Sequence, residues 1–451
     1  MYDEDGSKLT PYTFTIKNNC ASYAAYQVQL EVSDTSTLSN SYLKVMVNEE
    51  SPSLLTDYQE GEITLDDANA SYILENNTLD KNKEKTYNLR VWLDESVTVD
   101  TPGVQNSTWS AKVTITARYI DRLPTDYEKC VEKYGEDSIN CNIIAQLDDT
   151  GKCPEADDSG NITISDMLMH GNYVCSAPDD YGVSYYLVGY ITNNYVKFGK
   201  NENGSDMYWR IIRINGDDSI RMIYDGTAAH QNTESNTDRI LGQSSYNSLV
   251  YEDNAYVGYM YGTTDASSYE ETHRNTNSST IKQVVDSWYE SVFLNTAYEQ
   301  YLADEIFCND RSFSSDNTGT GIGSSDTLYR WYGDSGGSAV FHATNFKCFY
   351  QNDRFTVDDE RIGNGDLTYP IGLITADELQ INNPQFSYED SFWTMTPSHF
   401  QRYSQMRGWG TVWEIPFLVY SSAGIKPVIN LKPNSLNTGD GRASNPYRIE
   451  E

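Results

Sequence analysis

Positive charge is scarce in this 451-residue chain: 32 Lys and Arg stand against 66 Asp and Glu, a formal net charge of −34. That balance repels phosphate backbones and anionic membrane surfaces, and argues against nucleic acid as a partner. Apolar runs of transmembrane length are missing. A secretory leader is missing too, since Met1 is followed at once by Tyr-Asp-Glu-Asp. The expectation is a processed chain whose leader, and with it a cell-wall or membrane anchor, has been removed. No C-x-x-C pair occurs, and His170, His230, His273, His342 and His399 do not flank the cysteines at zinc-ligand spacing, so a structural zinc site is not expected. H-E-x-x-H, G-x-S-x-G and P-loop patterns are absent, and the chain is read as a non-enzyme.

What is present is an aromatic-rich sequence (13%, with Tyr alone at 36), which separates it from acidic disordered chains. Its length exceeds what one core usually covers, so two or three domains are expected. Four of the seven cysteines crowd into a Gly-, Asp- and Asn-rich stretch, where cross-links stabilise most. The expected disulfides are Cys130–Cys141, Cys153–Cys175 and Cys308–Cys348, the first two being one of three connectivities open to those four cysteines. Cys20 is left over and is read as free and buried, with an intermolecular bond as the alternative. An oxidising, extracellular or cell-surface location follows from these pairs.

Residues 1–120 alternate in short runs. Tyr26, Val28, Leu30 and Val32 share one face; Tyr42 to Val47, Tyr72 to Leu74, Thr86 to Leu93 and Ala111 to Ala117 repeat the pattern between polar loops. Six or seven such strands without an intervening helix predict an all-β sandwich. Residues 121–178 read as a cysteine-rich connector with a short helix from Pro124 to Tyr134. From 179 to 451 the style is α+β. Asn215-Gly216-Asp217 between two β-branched runs predicts a hairpin. Ile281, Val284, Val285, Trp288 and Val292 predict a helix over 279–293, with Thr280 and Gln283 as its capping box. Further helices are expected near Thr296 to Ile306 and from Thr375-Ala376-Asp377-Glu378; the last two acids read as a helix start rather than as a glycosidase carboxylate pair.

The stretch Phe392 to Lys432 places Trp393, Arg402, Tyr403, Arg407, Trp409 and Trp413 between two strand patterns. Rigid aromatic and arginine side chains give contact area at little entropic cost, and these six are the candidate ligand-binding residues. No cofactor is required by the sequence. Calcium stays open, because Asp217-Asp218 beside Asn215, or Asp253-Asn254, offer hard oxygen ligands.

Tyr12-Thr13-Phe14-Thr15-Ile16-Lys17-Asn18, the Tyr26–Leu30 run and Tyr87–Leu93 together resemble the camelysin-like fibre-subunit domains of Gram-positive surfaces. Trp209-Arg210-Ile211-Ile212-Arg213-Ile214-Asn215-Gly216, Gly372 to Glu378, Phe392 to Pro397 and Gly424 to Lys432 are similar to bacterial surface domains with the C-type-lectin-like fold of the formylglycine-generating-enzyme branch. The resemblance implies a multidomain chain, an N-terminal β-sandwich followed by a C-type-lectin-like α+β domain. It also implies a ligand face just before the final strand, between Pro397 and Gly424. The calcium-site motifs Glu-Pro-Asn, Gln-Pro-Asp and Trp-Asn-Asp are absent, and Cys308 and Cys348 bracket a long loop rather than forming a close reactive pair. The expected function is a cell-surface adhesin whose partner is a protein or glycan of a host or neighbouring cell. The alternative is a filament subunit that self-assembles by exchanging the Tyr12–Ile16 strand or the Asn434–Glu451 tail.

Overall fold

The computed structural model describes residues 3–48, 52–148, 150–163, 171–231, 234, 236–248, 252–332, 343–382, 391–409 and 414–450. The chain divides into two compact units, Met1–Thr125 and Asp126–Glu451.

Alternation builds the first unit. Strands β1 (Tyr12–Lys17), β2 (Tyr23–Ser33), β3 (Leu43–Val47), β4 (Ser53–Leu54), β5 (Ala68–Leu79), β6 (Glu84–Leu93) and β7 (Ala111–Ile120) form two antiparallel sheets, ordered β1-β6-β3-β4 and β5-β2-β7. The inward row of β2 is the predicted one: Tyr26, Val28, Leu30 and Val32 are all buried, packed with Leu43, Val45, Tyr87 and Leu89. Tyr26 and Tyr87 join the two sheets through a buried 2.6 Å hydroxyl contact. Trp92 points out of the opposite face of β6 and is roofed by the N-terminal turn. A Cβ on Gly6 would lie 2.3 Å from its indole, so only glycine fits there. Cys20 is exposed, contrary to expectation. It sits in the β1–β2 turn that Asn18 holds from below, donating to Ser22, Leu79 and Asp80 carbonyls and accepting from the Cys20 amide.

In the second unit, helices α1 (Asp126–Tyr134) and α2 (Ile139–Ile144) and strand β8 (Asn172–Pro178) come from the stretch read as a connector. Cys130, Ile139, Cys141, Ile143 and Ile144 join the unit's main core beside Trp209 and Ile211. The central sheet adds β9 (Val183–Gly189), β10 (Tyr195–Lys200), β11 (Asp206–Ile214), β12 (Ile220–Gly226), β13 (Gly372–Leu373) and β17 (Pro427–Leu431). Its order is β13-β17-β12-β11-β9-β8, with β10 also on β11. The predicted hairpin joins β11 to β12, with Asp218 at φ +73° completing the turn. The final strand β17 is buried along its length.

Helix α3 (Thr280–Val292) buries Ile281, Val285, Tyr289 and Val292. Two expectations fail there. The cap is Ser279, whose hydroxyl accepts from the Lys282 amide, and Val284 is exposed. No helix runs from Thr296 to Ile306; only a 3₁₀ turn forms at Glu299–Tyr301. Asn295, at φ +60°, ends the helical path, as asparagine does where a left-handed residue is needed. Helix α4 (Ala376–Asn382) does begin at the predicted cap. The Thr375 hydroxyl accepts from the Glu378 amide at 3.1 Å, and the Glu378 carboxylate accepts from the Thr375 amide at 3.0 Å. All three expected disulfides form, with Cα separations of 5.4, 5.5 and 5.7 Å. Among the described residues no helix is long and apolar enough to cross a membrane.

Candidate functional site

The segment singled out in the sequence forms an antiparallel sheet of its own: β14 (Phe392–Gln401), β15 (Tyr403–Trp409) and β16 (Glu414–Leu418). Strand β14 is buried except at its last residue, as its aromatic and small side chains require. Trp393 is therefore a core residue and has no surface to present. Its indole donates to the Ser244 carbonyl at 2.8 Å and meets Tyr246 and Phe417 edge-on.

The chain reverses at Arg402, with Gln401 paired to Tyr403 across the turn. Arg402 is exposed and lies at φ +66°, a region that costs a non-glycine residue roughly 1–3 kcal/mol. Its guanidinium stands 5.1 Å from the centre of the Tyr403 ring, within cation–π range. Along β15, Ser404 and Met406 are buried while Tyr403 and Gln405 are partly exposed. Positions 407 and 409 continue the same strand. They pair with Pro416 and Glu414 on β16. The backbone thus brings Arg402, Tyr403, Arg407 and Trp409 into one hairpin. Trp413 lies outside the described residues, as do His170 and His342.

A second cluster was not foreseen. Around a cavity of about 20 Å³, room for a single water, gather Arg213, Arg221 and Arg330 with Asp179, Asp180, Asp310, Asp377 and Glu378. Glu378 accepts from Arg213 Nε at 3.1 Å and from a terminal nitrogen of Arg221 at 3.3 Å, with Arg221 Nε 2.5 Å away as an ion pair. Burial pushes its carboxyl up, but the two arginines outweigh this and hold it below the usual range. Asp377 takes both terminal nitrogens of Arg330, the Trp331 indole and the Asn345 amide. Arg213 also reaches Asp179 at 2.8 Å, and Arg330 reaches Asp310 at 2.5 Å. Each carboxylate is matched by guanidinium or amide donors, so the cluster ties α4 to β11, β12 and the Cys308–Cys348 region and leaves no space for a substrate. The sequence carried a signal for it: Arg213 and Arg221 interrupt the most apolar strands of the chain, where a cation requires a buried partner.

The proposed calcium oxygens are engaged by the protein itself. Asp217 accepts from Ser219, and Asp218 from Lys133 and Tyr134. Asp253 caps Ala255 and accepts from the Asp265 amide; Asn254 is bonded to Gly323, Ser325 and Tyr329. Among the described residues, no group of three or more His, Cys, Asp or Glu is arranged to hold a metal ion. Compared with known proteins, the chain matches no family model, no curated protein and no solved structure, so its site is read from its own geometry.

Proposed function

We propose that this chain is an extracellular ligand-binding protein of the adhesin kind, a β-sandwich unit joined to a C-type-lectin-like α+β unit that takes a protein or glycan of a host or neighbouring cell. One observation carries the reading: the β14–β15 hairpin reverses on an exposed arginine in a strained backbone conformation, beside a partly exposed tyrosine. Strain of this kind persists where the surroundings enforce it and concentrates at ligand sites. In a chain of net charge −34, an arginine held out at a hairpin tip suits an acidic ligand group. The three disulfides fit an oxidising compartment. The test is a glycan-array and surface-protein screen of the full chain against Arg402→Ala and Tyr403→Ala, each checked for unchanged melting. Saturable binding weakened at least tenfold in either variant supports the hairpin site. Equal binding by folded variants, or none by the wild type, sinks it.

The second reading, a filament subunit, draws on a different feature. Strand β7 is a ten-residue sheet edge that exposes Ile115 and Tyr119, and long exposed edges recruit further strands. The two segments expected to be exchanged are occupied at home. Strand β1 pairs with β6 over its full length, and Tyr447 of the tail bonds to Tyr195 and Lys197. Assembly would therefore use β7, or would first displace β1. Concentration-dependent polymers seen by sedimentation and electron microscopy, lost on Thr116→Pro, favour this reading; a monomer at all concentrations removes it.

A further inference from the structure

At one end of the sandwich an open groove of about 390 Å³ lies between the end of β2, the start of β5 and two 3₁₀ turns, Asn40–Tyr42 and Leu55–Asp57. That volume falls within the roughly 300–1,000 Å³ typical of small-molecule sites. Its polar lining is Ser36, Ser39, Asn40, Ser41, Thr56, Asn69 and Tyr72, and half-buried Leu38 supplies aliphatic surface above the buried Val32. No charged side chain lines it, although 22% of the chain is charged.

The polar groups are arranged by a relay. The Trp109 indole donates to the Asn40 carbonyl oxygen at 2.9 Å, which fixes the amide so that its nitrogen donates to the Tyr72 hydroxyl at 3.1 Å. Because Tyr72 accepts from Asn40, its own proton is left to donate into the groove. Ser39 and Ser41 share one hydrogen at 2.8 Å, which leaves the other hydroxyl proton free to turn outward. Thr56 and Asn69 are exposed on the groove walls.

We infer that this groove is a binding site for an uncharged saccharide. Groups that both donate and accept match neighbouring sugar hydroxyls, while Leu38 offers apolar surface to the C–H face of a ring. An anion would find no cation here, and a cation no carboxylate. A peptide strand would need a free ladder edge, but the outer edge of β5 is already taken at this point. Ile73 donates to the Gln59 carbonyl, Gly61 donates to Ser71, and Glu60 bridges Tyr72. The site lies in the first unit and does not rest on the hairpin reading.

The test uses the full chain with uncharged oligomers of glucose, galactose, mannose and N-acetylglucosamine, followed by saturation-transfer NMR and calorimetry. Tyr72→Phe removes the hydroxyl that donates into the groove and with it the acceptor of Asn40, and the Thr56→Val/Asn69→Ala pair, which leaves that relay intact, alters exposed positions that a fold tolerates. At least one oligomer should bind, about tenfold more weakly to Tyr72→Phe, as the loss of one hydrogen bond predicts. The double variant should also bind more weakly, and Arg402→Ala should leave this binding unchanged. The inference is overturned if no uncharged oligomer binds, if both groove variants bind as the wild type does, or if the only binding seen is lost in Arg402→Ala.

Discussion

Glu378 serves two purposes with one carboxylate: it closes the cap of α4 and neutralises Arg213 and Arg221. Removing it would take from Arg221 its carboxylate partner in the core and leave Arg213 with Asp179. Glu378→Ala is therefore expected to destabilise the second unit by about 3–5 kcal/mol in urea titrations, the usual cost of breaking a buried pair. A loss below about 1 kcal/mol would mean that water replaces the carboxylate. Glu305 behaves oppositely. Burial, reinforced by a hydrogen bond to and repulsion from Asp217, pushes its carboxyl up to about 10. The folded chain thus keeps a proton that the unfolded chain releases above its ordinary value near 4.3. Stability from this group falls as pH rises between those two values. Glu305→Gln, neutral at every pH, should flatten that decline and be the more stable form at pH 8, by on the order of 1 kcal/mol. Parallel pH–stability curves for the two proteins would refute the assignment. His230 carries a third dependence. Burial disfavours its charge, but hydrogen bonds to Asp238 and Glu234, with Asp225 nearby, outweigh burial and raise it above 6.5. Its contribution is complete below the unfolded value and is lost as pH rises through the folded one. His230→Gln should remove that loss from denaturation curves collected between pH 5.5 and 8.5.

Among the elements, the β14–β15 hairpin separates stability from function. Glycine adopts the φ of +66° at position 402 without the steric penalty that arginine carries. Arg402→Gly should raise the free energy of unfolding by about 1 kcal/mol, read from urea titrations, while weakening the proposed ligand contact. A variant both less stable and fully binding would place the function elsewhere. The inner row of β7 makes a similar point about edges. Val113 packs on the sandwich core, yet Ile115 and Tyr119, two and six residues further along the same face, are exposed.

For the whole molecule, the distribution of cross-links sets the expectation. All three disulfides fall in the second unit, closing sequence separations of 11, 22 and 40 residues, each of which stabilises by roughly 3–4 kcal/mol in the chain-entropy account. Calorimetry should resolve two transitions. A reductant should lower or abolish one of them and leave the sandwich transition in place, because Cys20, the cysteine of the first unit, is unpaired with another cysteine. A single transition that moves as a whole under reduction would show that the units unfold as one.

Local periodicity and chemistry determined a good deal. The period-two run from Tyr26 to Val32 needs one apolar face covered, whatever covers it, and so its inward row was readable in advance. The cap at Thr375 depends on residues three apart, whereas the pairing among Cys130, Cys141, Cys153 and Cys175 was one choice of three that the fold settled. The hairpin at Asn215-Gly216 was equally local. What the tertiary structure decided involves partners distant in sequence. Trp393 looked like a binding aromatic until Ser244, Tyr246 and Phe417 were found around it. Arg213 meets a carboxylate 165 residues away, a pairing that no window of sequence contains. The groove under Tyr72 depends on Trp109 and Asn40, brought together from separate segments. Short-range hydrogen bonds and alternation are written into neighbouring residues. Burial and charge pairing between distant segments follow only once the chain has chosen which faces to close against each other.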